Sequence, residues 1–213
     1  MGCLKNILRA IILTLAVVGF MSLGGKELLS GYLGDFFNPS KDVMLERAKK
    51  VGDFSKIDDE FELEKAAGIM GYNAVVAEHK ASGQKMFVVE SGDNAILTPE
   101  DIKSDNVEEK LKKSDIKSEN IEEKLLNLTK KVKYQTFQVE ELKVTKRGTM
   151  NSYGKEAPYV KFEAKVKKLP IGDVSGIIST VETKDGSPRL LISVNEKSKY
   201  SQLISDEFFK KIK

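Results

Sequence analysis

Val160-Lys-Phe-Glu-Ala-Lys-Val166 alternates apolar and charged residues without a fault. Successive side chains of a strand point to opposite faces, so Val160, Phe162, Ala164 and Val166 share one side and Lys161, Glu163 and Lys165 the other. This is the pattern of a half-buried strand, and antiparallel sheets are the architecture that leaves strands dry on one side and wet on the other. Upstream, the period is also two from Tyr134, with Phe137 and Val139 in one phase and Leu142 and Val144 in the other, which predicts a bulge near Glu140-Glu141. Gly148 to Pro158 reads as a polar turn region. Downstream, Leu169-Pro-Ile-Gly-Asp173 interrupts. Ile177 to Thr183 and Leu190 to Asn195 then read as two strands around Lys184-Asp-Gly-Ser187, whose Asp185-Gly186 is a hairpin signal. The chain closes on a predicted helix within Ser198 to Lys213, with Tyr200, Leu203, Ile204, Phe208 and Ile212 as the stripe expected to pack on the sheet.

Toward the amino terminus, Ala74 to His79 and Lys85 to Glu90 predict another hairpin, joined by Lys80-Ala-Ser-Gly-Gln84. A short helix is expected from Asp42 to about Lys50, then an irregular stretch from Gly52 to Phe61 with apolar pegs at Phe54, Ile57 and Phe61, then a further helical turn over Glu62 to Ala67. Thr98-Pro99-Glu100-Asp101 has the form of a helix start. Beyond it lies an internal repeat within 102–125: Ile102-Lys-Ser-Asp-Asn-Val-Glu-Glu-Lys-Leu111 recurs as Ile116-Lys-Ser-Glu-Asn-Ile-Glu-Glu-Lys-Leu125. Its step of fourteen residues is close to four helical turns, so the copy keeps Val107, Leu111, Ile121, Leu125, Leu128 and Val132 near one face.

Helix, hairpin, helix, several antiparallel strands and helix make an α+β fold, an antiparallel sheet with flanking helices on one face or at its ends. In this order of elements, Gly71 to Lys213 resembles the PsbP-like and DcrB-like domains, small exported or anchored α+β modules. The resemblance implies a protein that binds or scaffolds, and it carries over no functional residue.

Ala10 to Gly25 holds sixteen residues without a charge, behind Lys5 and Arg9. At 1.5 Å per residue such a helix reaches roughly 24 Å, somewhat short of a hydrocarbon core of roughly 30 Å. The segment is therefore read as a transmembrane anchor, or as a cleaved signal peptide with Ser22 and Gly24 as the small residues a peptidase inspects. The basic flank predicts a cytoplasmic amino terminus and an extracytoplasmic carboxyl domain. The expected organisation is a tail (1–9), an anchor or signal (10–25), a juxtamembrane tether (26–41) and one α+β domain (42–213). Cys3, the only cysteine, precedes the apolar run, where a lipoprotein cysteine would follow it, and it reads as a plain cytoplasmic thiol.

Hydrophobic residues at 40% and charged residues at 31% are the profile of a folding chain. The 35 basic and 32 acidic residues interleave to a net charge of +3, which gives no basic face and argues against nucleic acid as a partner. Chemistry is sparse. The single histidine, His79, is the one near-neutral base, and it stands in phase with Val75 and Ala77 at a strand end. Neither Ser82 nor Ser91 lies in a Gly-x-Ser-x-Gly elbow, and one His with one Cys cannot assemble a zinc site. Asp93, Glu100 and Asp101 lack the alternation of a calcium loop, and Glu108, Glu109, Glu122 and Glu123 sit among lysines as a solvated face. Gly68-Ile-Met-Gly71 reads as a turn before a strand, Asn127-Leu-Thr129 as a glycosylation acceptor, and Lys210, Lys211 and Lys213 as a complement to a helix dipole that could also touch lipid head groups. No catalytic, cofactor or metal residue is thus nominated. The expected role is binding or scaffolding at the envelope, with the membrane and an envelope protein as partners. The alternatives are an exported carrier of a lipid or small ligand and a hydrolase that uses dispersed carboxylates.

Overall fold

The computed structural model describes residues 41–69, 72–90, 102–103, 138–167, 172–184 and 186–213. Their elements are helix α1 (Lys41–Val51), strands β1 (Phe61–Ile69), β2 (Tyr72–His79), β3 (Gln84–Glu90), β4 (Gln138–Ser152), β5 (Lys155–Lys167), β6 (Val174–Glu182) and β7 (Pro188–Glu196), and helix α2 (Gln202–Lys211). The strands form one sheet in the order β1-β2-β3-β7-β6-β5-β4, antiparallel throughout. Two meanders, β1 to β3 and β4 to β7, are thus welded where the last strand pairs with the third. The α+β expectation holds. Among the described residues no helix is long and apolar enough to cross a membrane, and Ala10 to Gly25 lies outside them.

One face carries the helices. Ala48 and Val51 of α1, with Phe208, Phe209 and Ile212 at the chain end, pack on Val75, Ala77, Met86, Val88, Ile177 and Leu191 of the sheet. Phe54 and Ile57 act as the expected pegs, and Phe61 meets Phe208 at 5.2 Å between ring centroids. Full burial of each such ring contributes about 1.5 to 3 kcal/mol. The carboxyl end of α1 is held by two side chains from distant strands. The Val51 carbonyl accepts from the Tyr153 hydroxyl at 2.7 Å and from Arg189 Nε at 3.0 Å, and Arg189 also faces Glu90 at 3.2 Å.

Two stretches need correction. Glu62 to Ala67 is not helical but lies inside β1, which pairs with β2 from Phe61↔His79 to Ile69↔Tyr72. Its Glu, Leu, Lys and Ala residues favour helix, but ladder hydrogen bonds and the burial of Phe61 and Ala66 outweigh a propensity worth only tenths of a kcal/mol per residue. Gly68 and Ile69 accordingly belong to the strand, and residues 70 and 71 lie outside the described residues.

Gly148 to Pro158 is not a broad turn either. β4 runs on to Ser152 and β5 begins at Lys155, leaving a two-residue loop in which Tyr153 and Gly154 have φ of 52° and 70°. Two successive positive φ values define a primed turn, whose twist matches the strands it joins, and glycine takes the second position without strain. The bulge predicted near Glu140-Glu141 is present between Val139 and Glu141, with a second between Val144 and Lys146.

On α2 the buried residues are Ser205, Phe208 and Phe209, with Ile212 buried just beyond the helix, while Leu203 stands 74% exposed. Of the expected stripe, Phe208 and Ile212 are buried and Tyr200 and Ile204 pack against the core, so Leu203 alone falls off it, while Ser205 and Phe209 join it.

β5 alternates as its sequence demands, with Phe162 and Ala164 buried and Lys161 and Glu163 partly exposed. The centre of the sheet departs from that pattern: β6 is buried from Val174 through Val181 on both faces. Gly176 permits this close packing, because a Cβ there would stand 2.3 Å from the Ser193 carbonyl oxygen. Residues 104–125 of the repeat, the Thr98-Pro99 helix start, Ser91, Asp93, Glu100, Asp101 and Asn127 to Thr129 lie outside the described residues.

Candidate functional site

Polar side chains gather at the end of the sheet where the β2–β3 turn meets the turn from β7 into α2. His79 closes β2, and the chain must reverse within four residues to begin β3 at Gln84. Ser82 Oγ lies 2.9 Å from His79 Nδ1, and the Ser82 backbone N–H donates to the same nitrogen at 3.3 Å. A nitrogen that accepts a backbone N–H carries no proton, so the neutral ring holds its hydrogen on Nε2, which faces the Glu60 carboxylate at 3.7 Å. The ring also meets Phe61 edge-on at 5.2 Å. A serine, a histidine and a carboxylate are therefore aligned, an arrangement the sequence spacing alone did not bring together.

The alignment lacks what nucleophilic catalysis requires. A serine hydrolase needs a hydroxyl free to attack and backbone N–H groups free to receive the oxyanion. Here the Ser82 oxygen also accepts the Gln84 N–H at 3.2 Å, the Ser82 N–H is taken by His79, and the Gly83 N–H donates to the His79 carbonyl at 2.8 Å. Every one of these turn donors is spent inside the turn. Glu60, the orienting acid of such a relay, is 70% exposed and so is weakly held. Together these bonds lock the hairpin.

Behind the turn lies a second, buried group. Gln84 Nε2 contacts Ser193 Oγ at 2.9 Å, the Ser201 carbonyl at 2.9 Å and Ser205 Oγ at 3.0 Å, while its Oε1 accepts the Ser201 N–H at 2.9 Å. Ser205 donates to Ser193 at 2.9 Å, and the Tyr200 hydroxyl joins Ser205 and Gln202, each at 3.2 Å. Gln84, Ser193 and Ser205 are all at 0% exposure. The network ties β3, β7 and the start of α2 together, in effect capping a helix whose Ser201 makes no side-chain cap of its own. Burial drives the Tyr200 hydroxyl pKa well above its ordinary value of 10.0, because the phenolate would be stranded away from water.

Elsewhere the charged groups pair across strands. Lys85 Nζ contacts Glu64 at 2.8 Å and also Glu78. Lys211 contacts Asp58, so one lysine of the basic tail has a specific partner. Among the described residues no group of three or more His, Cys, Asp or Glu could hold a metal ion. Gln84, Ser193, Ser205 and Arg189 were not singled out from the sequence, although each carries a signal. Gln84 is in phase with Met86 and Val88, Arg189 and Ser193 with Leu191, and Ser205 with Phe208 and Phe209. A polar residue in the apolar phase of its element marks a buried partner. No family model matches the chain, and no curated protein matches it.

Proposed function

We propose that the chain is a single-pass membrane protein, cytoplasmic at its amino terminus, whose extracytoplasmic α+β domain binds or scaffolds an envelope protein and is not a catalyst. The observation that carries this reading is the uncharged run Ala10 to Gly25 behind Lys5 and Arg9, joined by a short tether to a domain that begins with α1. An apolar run of this kind stands at a large cost in water, and the basic flank sets its direction. Support also comes from the polar chemistry described above, in which the hydroxyl, amide and imidazole groups satisfy one another.

The test uses the whole chain. A periplasmic-type reporter fused after residue 40 is expected to be active and a cytoplasmic-type reporter inactive; the reverse result overturns the topology. The same cells show whether the chain keeps its full mass, which separates an anchor from a cleaved signal. A fluorophosphonate serine probe is expected to leave the protein unlabelled, and labelling abolished by Ser82→Ala would replace the scaffold reading with a hydrolase.

A further inference from the structure

The one histidine of the chain is built into a turn, with its side chain only 12% exposed. Two donors meet at His79 Nδ1, the Ser82 backbone N–H at 3.3 Å and the Ser82 hydroxyl at 2.9 Å. A nitrogen that accepts the backbone N–H holds no hydrogen of its own, so the hydroxyl is the donor in the second contact. The turn is tied sideways as well, because the Ser82 carbonyl accepts from Asn195 Nδ2 of β7 at 3.1 Å and the Ser82 oxygen accepts the Gln84 N–H at 3.2 Å.

We propose that His79 is an acid-released latch, in which the neutral ring holds the β2–β3 turn closed against the end of β7 and protonation of Nδ1 opens it. Imidazole is the side chain whose ordinary range of titration covers about pH 5 to 8, and this chain has a single one to respond there. A proton on Nδ1 removes the acceptor of the Ser82 N–H and points a hydrogen at both Ser82 donors. The hydroxyl can swing round and accept. The backbone N–H cannot, and a donor left without a partner in a part-buried turn favours a backbone that moves out to water. That movement draws the Ser82 carbonyl away from Asn195 and the Ser82 oxygen away from Gln84.

The charges around the ring do little to hold the protonated form in place. Glu60, from the stretch before β1, faces Nε2 at 3.7 Å but is 70% exposed, and an ion pair so wet contributes little. Lys80 adds a positive charge to the same stretch, where its ammonium donates to the Asp59 carbonyl at 2.6 Å. On the other side of the turn Glu78 is paired with Lys85, and at the end of β7 Glu196 is paired with Lys199 at 2.7 Å. β1, β3 and β7 present Phe61, Gln84 and Asn195 to the turn, none of them charged.

Amide hydrogen exchange in the full-length chain reads the latch. After correction for the intrinsic pH dependence of exchange, the Ser82 N–H is expected to lose protection by about tenfold between about pH 8 and about pH 5, the equivalent of one hydrogen bond. The Thr183 N–H, which closes the β6–β7 turn on the Ser187 carbonyl without an imidazole, is expected to keep its protection. In His79→Asn the side-chain oxygen can stand in for Nδ1 as an acceptor that does not titrate, so Ser82 protection is expected to be equal at the two pH values. Equal protection of Ser82 in the unsubstituted chain overturns the proposal, and so does a loss that persists in His79→Asn.

Because His79→Asn also gives up the contact with Phe61 and can loosen the end of β2, the ring of the unsubstituted chain supplies a second measurement. Nitrogen NMR is expected to show the proton arriving on Nδ1 with the same midpoint at which the Ser82 amide signal moves. A ring that titrates while the Ser82 amide stays fixed in position and protection overturns the proposal. A ring that already carries its hydrogen on Nδ1 at about pH 8 overturns it too.

Discussion

Arg189 shows how a charge is kept inside this protein. Its side chain is 4% exposed and spans the end of α1 and the Glu90 carboxylate, so its desolvation is offset by a carbonyl bond and an ion pair. Removing one member strands the other, at a cost of about 3 to 5 kcal/mol. Arg189→Ala is therefore expected to lower the urea midpoint by that equivalent, with the slope unchanged. Thr180 is the opposite case. Its hydroxyl is buried and has no hydrogen-bond partner among the described residues, so none of them offsets its desolvation. Thr180→Val keeps the shape and removes the penalty, and it is expected to be neutral or to stabilise by about 1 kcal/mol in the same assay. Tyr200 supplies a pH dependence. Its folded pKa is raised by burial above the unfolded value near 10.0, so above that pH the unfolded chain binds fewer protons than the native one. Stability is then fully present below pH 10.0 and falls above it, by up to about 1.4 kcal/mol per pH unit, and Tyr200→Phe is expected to flatten that part of the profile.

The phase of α2 decides which of its apolar residues matter. Phe209 is fully buried beside Phe208, with ring centroids 5.3 Å apart, whereas Leu203 is 74% exposed. Thermal unfolding is expected to register a loss of about 3 to 5 kcal/mol for Phe209→Ala and a change within about 0.5 kcal/mol for Leu203→Gln. The apolar spacing marks the face that packs, and only docking shows which residue at its margin, here Leu203, stays in water. β1 makes the same point for element type. Its residues would suit either a helix or a strand, and the choice falls to β2, whose ladder supplies hydrogen bonds that an isolated helical turn would forgo. The β4–β5 hairpin was obscured for another reason, since Asn151-Ser-Tyr-Gly154 looks like an open loop until two positive φ values compress the reversal into two residues.

For the whole molecule, alternation in β5 and β4, the Asp185-Gly186 and Gly83 turns and the apolar chain end were sufficient to indicate an antiparallel α+β domain. These signals are local: period, turn chemistry and the cost of wetting apolar side chains act between residues near in sequence. The run Ala10 to Gly25 stands out for the same reason, since an uncharged apolar stretch and its basic flank are features of local composition. The joining of β3 to β7, with residues more than 95 positions apart, was not legible, because a strand's alternation specifies which face is dry and not which strand lies beside it. From that pairing follow the polar network of Gln84, Ser193 and Ser205 and the seat of Arg189 beside Glu90 and the end of α1. The line of Glu60, His79 and Ser82 likewise depends on β1 lying against β2. By itself the sequence determined which segments are strands or helices in most places, where the apolar faces run and where an uncharged apolar run stands. Only the tertiary structure decided which polar residues meet, since those contacts are set by strand order and register, and these are selected by how well two distant dry faces close against water.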